Sequence, residues 1–101
     1  MNKQMLQQAQ QLQARLMKMQ QELETMTVEA TAGGGAVTVV VTGQQKVKSI
    51  KISPEAVDPK DVTMLEEMVL AAMNDAMDKS RELAAKQMSS LTGGLKIPGL
   101  T

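Results

Sequence analysis

Residues 27–52 read TVEATAGGGAVTVVVTGQQKVKSIKI, and this stretch decides the fold. Its β-branched residues fall in three short runs, Thr27 to Ala32, Ala36 to Thr42 and Lys46 to Ile52, separated by Gly33-Gly34-Gly35 and Gly43-Gln44-Gln45. Runs of this length between turn residues predict a three-stranded antiparallel meander. In the middle run Val37, Val39 and Val41 share one face and Thr38 and Thr42 the other, the alternation of a half-buried strand. The third run contains a conflict. Lys46 and Lys48 have the same parity as Ile50 and Ile52, and one face does not suit both pairs, so a bulge or a frayed start is expected there.

Outward from the meander lie two helical segments. From Asn2 to Met26 there is no Gly or Pro, and Met5, Ala9, Leu12, Leu16, Met19, Leu23 and Met26 recur at spacings of four and three, a heptad seam. Glutamine at positions 4, 7, 8, 10, 11, 13, 20 and 21 fills the other faces. Such a helix is roughly 37 Å long at ~1.5 Å per residue. After the sheet, Pro54 is a stop, and Asp58-Pro59-Lys60-Asp61 offers an N-cap, a first-turn proline and an acidic first turn. A second helix is expected from there to about Leu91, where Thr92-Gly93-Gly94 ends it. Its apolar stripe runs through Val62, Leu65, Val69, Ala72, Met73, Ala76 and Met77, shifts at Lys79 toward Ser80 and Ala84, and continues to Met88 and Leu91. Both helices outrun strands of about 20 Å and should overhang the sheet as arms. The expected fold class is α+β, with one domain over residues 1–92 and a short tail over 93–101.

The 101 residues include no His, Cys, Trp, Tyr or Phe, and Lys+Arg and Asp+Glu are 11 each. Without Cys and His the commonest nucleophile, general base and metal ligands are missing, so no catalytic site, cofactor, metal or small-molecule substrate is expected. Glu66-Glu67 and Asp75 with Asp78 read as solvated helix faces, and the glycine triplet reads as a hairpin turn, since no Gly-Lys-Ser/Thr follows it. No apolar run approaches the length of a membrane span and no signal sequence is present, which predicts a cytoplasmic protein without membrane contact. The core must be aliphatic and rich in methionine, of which there are 10. A core without aromatics is small, so a two-fold homodimer is expected to supply further burial.

Charge cancels overall but separates along the chain. Residues 1–21 carry Lys3, Arg15 and Lys18 and no acid, residues 46–51 carry Lys46, Lys48 and Lys51, and residues 55–78 carry seven carboxylates against Lys60. From 79 onward come Lys79, Arg81, Lys86 and Lys96 against Glu82. Asp75 to Lys79 and Glu82 to Lys86 have the spacing and order of helical ion pairs. Lys3 and Arg15 have no such partner. Free cations among glutamines on an exposed helix suit phosphate contact, and the lack of aromatic stacking residues points to a duplex rather than a single strand.

Several strings now acquire meaning together: Gln8-Ala9-Gln10, Val28-Glu29 leading to Ala32-Gly33-Gly34-Gly35, Pro54-Glu55-Ala56-Val57-Asp58, Leu65-Glu66-Glu67, Ala71-Ala72-Met73-Asn74-Asp75-Ala76, and Thr92-Gly93-Gly94 with Pro98-Gly99-Leu100. In order and spacing they resemble the YbaB/EbfC family of bacterial nucleoid-associated proteins over essentially the whole chain, although Ala30 stands where relatives often have glycine. The resemblance implies a tweezer-like homodimer that binds double-stranded DNA in the cytoplasm at the nucleoid, with loose sequence preference, and contributes to nucleoid organisation and gene regulation. It directs attention to the arms, so Lys3, Arg15, Lys18, Lys79, Arg81 and Lys86 are the candidates for DNA contact. The alternative is a coiled-coil interaction protein or a prefoldin-like chaperone or adaptor, which shares the helix, small β-element, helix order.

Overall fold

The computed structural model describes residues 2–92. Helix α1 is Lys3–Thr25, strands β1, β2 and β3 are Thr27–Ala32, Val37–Thr42 and Val47–Ile52, a 3-10 turn covers Pro54–Ala56, and helix α2 is Val62–Thr92. The strands form one antiparallel sheet in the order β1-β2-β3. The class is α+β, as the alternation and heptad spacings indicate, and the extents of 69 × 25 × 17 Å show that the helices overhang the sheet. The expected tail over 93–101 and Lys96 lie outside the described residues.

The core lies between α2 and the inner face of the sheet. Val37, Val39 and Val41 on β2 and Ala30 on β1 meet Ala72 and Ala76 of α2, all buried. Alanines four residues apart bring the helix axis close to the valine row, and Leu65, Met68, Val69, Met73 and Met77 pack around that contact. The same row continues to Ser80, which is fully buried. Lys79, beside this row, lies over the β1 edge, where its Nζ donates to the Glu29 carbonyl at 3.0 Å and stands 3.8 Å from Asp75. Its apolar stem can cover the sheet margin while its charge stays in water.

Three expected boundaries move, each for a local reason. Asp58 does not cap α2. Its side chain accepts from the Lys60 N–H and its carbonyl from the Asp61 N–H, so Asp58 to Asp61 closes a turn with Pro59 inside it. Asp61 accepts from the Met64 N–H at 3.2 Å and occupies the capping position, so the helix starts at Val62 and has no acidic first turn. Strand β2 starts one residue later than expected, because the Ala36 N–H is engaged with the Gly33 carbonyl in the hairpin turn. Strand β3 starts at Val47 with a register shift, since Val41 pairs with Val47 while Val40 pairs with Ser49. Lys48 is the extra residue of a bulge, which resolves the parity conflict of the third run. At the strand's exit Ser53 donates to the Glu55 carboxylate and holds that carboxyl below its usual range.

Both arms are anchored at the β2-β3 hairpin. The Gly43 N–H donates to the Leu23 and Met26 carbonyls, each at 2.9 Å, and Gln44 Nε2 donates to the Gln20 carbonyl at 2.7 Å. A Cβ at Gly43 would stand 2.8 Å from the Leu23 carbonyl oxygen, so the last turn of α1 can approach only a glycine there. The Gln45 N–H donates to Ser80 Oγ and so joins α2 to the same hairpin. Met19 and Leu23, the buried positions of the α1 seam, lie at this junction, and the stripe from Met5 to Leu12 extends beyond it.

Candidate nucleic-acid interface

On α1, Lys3, Arg15 and Lys18 are exposed and none of them is in an ion pair among the described residues. Lys3 and Lys18 are 15 residues apart and Arg15 and Lys18 three apart, so at 3.6 residues per turn all three fall within an arc of about 120°. Glutamines share the arm with them, and the helix is opened by Asn2, whose side chain accepts from the Met5 N–H at 2.8 Å. Arg15 and Lys18 border a cleft between the arms whose other walls are Met19, Glu22, Gln87, Ser90 and Leu91. Two open cations with amide and hydroxyl groups opposite them can take anionic oxygens by charge and by hydrogen bonds, against the one carboxylate of Glu22.

The candidates on α2 do not converge in this way. Arg81 Nη1 is bound to Asp78 Oδ1 at 2.8 Å, and Lys79 is held by Asp75 and the Glu29 carbonyl. Asp75 to Lys79 is the expected helical pair, whereas Arg81 to Asp78, three residues apart and so also on neighbouring turns, was not expected. The expected Glu82 to Lys86 pair does not form, and Lys86 is exposed without an ion pair among the described residues. Lys79 and Lys86 are seven residues apart and share a side, while Arg81 is turned roughly 200° from Lys79. The six candidates therefore divide into four open cations, Lys3, Arg15, Lys18 and Lys86, and two that are already engaged.

Charge on the sheet was visible in the sequence as Lys46, Lys48 and Lys51 but belonged to neither arm. The structure puts Lys46 opposite Thr42 and Lys51 opposite Thr38, on the face turned away from α2. Their relevance depends on the bulge at Lys48, for which the signal in the sequence was the parity conflict with Ile50 and Ile52. The described residues hold no cluster of acidic side chains suited to a metal ion and no helix long and apolar enough to cross a membrane.

The model of the YbaB/EbfC DNA-binding family matches residues 1–95. A nucleoid-associated protein of Desulforamulus reducens is 56% identical over 100 residues, covering 99% of this chain and 94% of the relative. One from Pelotomaculum thermopropionicum is 51% identical over 96 residues, covering 95% and 91%, and one from Chloroflexus aurantiacus is 53% identical over 94 residues, covering 93% and 94%. The fold matches the crystal structure of an uncharacterized Helicobacter pylori protein with a TM-score of 0.77 at 16% identity, covering 92% of this chain and 99% of that one.

Proposed function

The chain belongs to the YbaB/EbfC DNA-binding family, and from that premise we propose that it binds double-stranded DNA as a homodimer, through phosphates and with loose sequence preference, and so contributes to nucleoid organisation and gene regulation. The observation that carries the reading is the α1 arm, where three cations without ion-pair partners among the described residues lie within one arc of an amide-rich helix that carries no acid before Glu22. Such groups neutralise phosphate and release its counterions, whatever the base sequence. Lys86 joins them from α2. Lys79 and Arg81 would have to leave their present partners and contribute less. A location at the nucleoid in the cytoplasm follows from the same reading, and family membership supports a DNA-binding role rather than an enzymatic one.

A second copy is supported by an open apolar margin. Helix α2 lies over β1 and β2, so on β3 the inner-face residues Val47, Ile50 and Ile52 remain 39%, 43% and 39% exposed. Strand β3 is also an open edge, with unpaired backbone groups beside this apolar row. Residues 1–92 then act as one α-β-β-β-α unit, and two units joined near β3 leave the arms free as tweezers.

Fluorescence anisotropy with mixed-sequence duplexes across a salt series tests the DNA reading. Log affinity should fall linearly with log salt, with a slope of about −0.9 per phosphate contact. R15A/K18A should weaken binding by a similar factor on unrelated duplexes. No binding at low salt, together with suppression of another protein's aggregation, would replace this reading by the prefoldin-like one.

A further inference from the structure

The bulge at Lys48 does more than reconcile a strand with its core. By inserting one residue it places Lys46, Ser49 and Lys51 on the outer face of the sheet while Val47, Ile50 and Ile52 keep the inner face. Cross-strand rows on the outer face thus read Thr27, Thr42, Lys46 at one end and Thr31, Thr38, Lys51 at the other. Helix α2 packs on the opposite face, and none of the three lysines forms an ion pair among the described residues.

Lys46, Val47 and Lys48 border a depression with Glu24, Thr25, Thr27 and Thr42. Thr42 Oγ1 accepts from the Gln44 N–H at 3.3 Å and from the Lys46 N–H at 3.2 Å. With both lone pairs engaged, the hydroxyl proton is what Thr42 can offer to an incoming acceptor. Thr25 connects this depression to the arm, since it lies seven residues after Lys18 on the same side of α1, about 10 Å along the axis. The opposing charges are Glu24, on the rim, Glu22, four residues after Lys18 on the same side of α1, and Glu29, on β1 and therefore roughly 10 Å across the sheet from β3.

We propose that the outer face of the sheet, centred on Lys46, Lys48 and Thr42 with Lys51 at its far end, is a second phosphate-contacting surface for duplex DNA, continuous with the Lys18 side of α1. It rests on the reading of the chain as a duplex-binding protein and assigns it a contact surface outside the arms. A duplex is the fitting occupant because a run of phosphates supplies acceptors for both the lysines and the threonine hydroxyls. The arm then delivers the backbone of the duplex onto the sheet, and the bulge sets the spacing of the cations that receive it.

The test uses the full chain and anisotropy titrations with a mixed-sequence duplex between 50 and 200 mM salt, the range over which phosphate contacts dominate the change. K46Q/K48Q/K51Q, with helix content checked by circular dichroism, should bind about 10- to 100-fold more weakly at 100 mM salt, with a salt slope shallower by about 2 to 3. E24Q, which removes the rim carboxylate, should bind more tightly by a few-fold. Unchanged affinity and slope in the triple variant, while R15A/K18A weakens binding, overturns the sheet surface and leaves the arm reading standing. No binding by the unmodified chain at 50 mM salt overturns both.

Discussion

The hydroxyl of Ser80 on α2 donates to the carbonyl oxygen of Thr42 at 2.7 Å, joining the middle of the long helix to the last residue of the central strand. Ser80 is fully buried and also accepts from the Gln45 N–H at 3.2 Å, where Gln45 has a φ of 63°. One side chain thus satisfies two backbone groups at the hairpin that anchors both arms. S80A removes that shared partner but leaves the Gln45 N–H donating to the Thr42 carbonyl at 3.0 Å, so it should cost about 0.5 to 1.5 kcal/mol, read as a lower midpoint in urea at unchanged m-value. A change of only a few tenths would mean that water replaces the hydroxyl.

Gly33 and Gly34 separate two effects at one turn. Both have positive φ, 65° and 68°, but a Cβ at Gly33 would collide with Met68 Sδ, while one at Gly34 meets nothing among the described residues. G34A should therefore cost about 1 to 2 kcal/mol from backbone strain alone. G33A should cost more, because Met68 must also move, and the difference between the two should shrink in an M68A background. Equal midpoints for G33A and G34A would show that Met68 relocates freely.

Lys86 and Lys79 share a side of α2 but differ in their engagements. K86A should weaken DNA binding with little effect on stability. K79A should change affinity less, since its ammonium already serves Asp75 and the Glu29 carbonyl, and at an exposed pair the stability loss should stay within about 1 kcal/mol. Parallel anisotropy and urea titrations separate the two. A larger affinity loss in K79A than in K86A would reverse the assignment.

Ile50 and Ile52 test the second copy. I50K/I52K places charge on the open apolar margin and should shift the chain from dimer to monomer in light scattering while its helix content is retained. DNA affinity should fall with it, because two linked sets of arms bind more tightly than one. A wild-type dimer that persists in the double variant would exclude this margin as the interface.

Most of the architecture was legible locally. The seam from Met5 to Met26, the valine alternation from Val37 to Val41 and the turn glycines each express a period or a backbone restriction set by a few neighbouring residues, which is why the sequence determined the element order and the strand pairing. The parity conflict at Lys46 and Lys48 even announced a bulge, though not where it would fall. The family resemblance, carried by strings spread along the whole chain, was also a property of sequence alone. Asp58 misled because Asp58 and Asp61 both suit a cap, and which one serves depends on how Pro59 closes the turn before the helix.

Side-chain partners were a matter for the tertiary structure. Spacing rules could not rank Asp78 against Glu82 as neighbours of the α2 cations, so only the folded chain divided the six candidates into open and engaged groups. Nor could they bring Thr42, Lys46 and Thr25 to one depression, since that needs the register of β3 and the close approach of α1 to Gly43. Charge in the sequence established which residues could meet a polyanion. The bulge, the hairpin junction and the helix faces decided which of them stand free to do so, because an electrostatic contact depends on distance and direction, and those are set by packing across the chain.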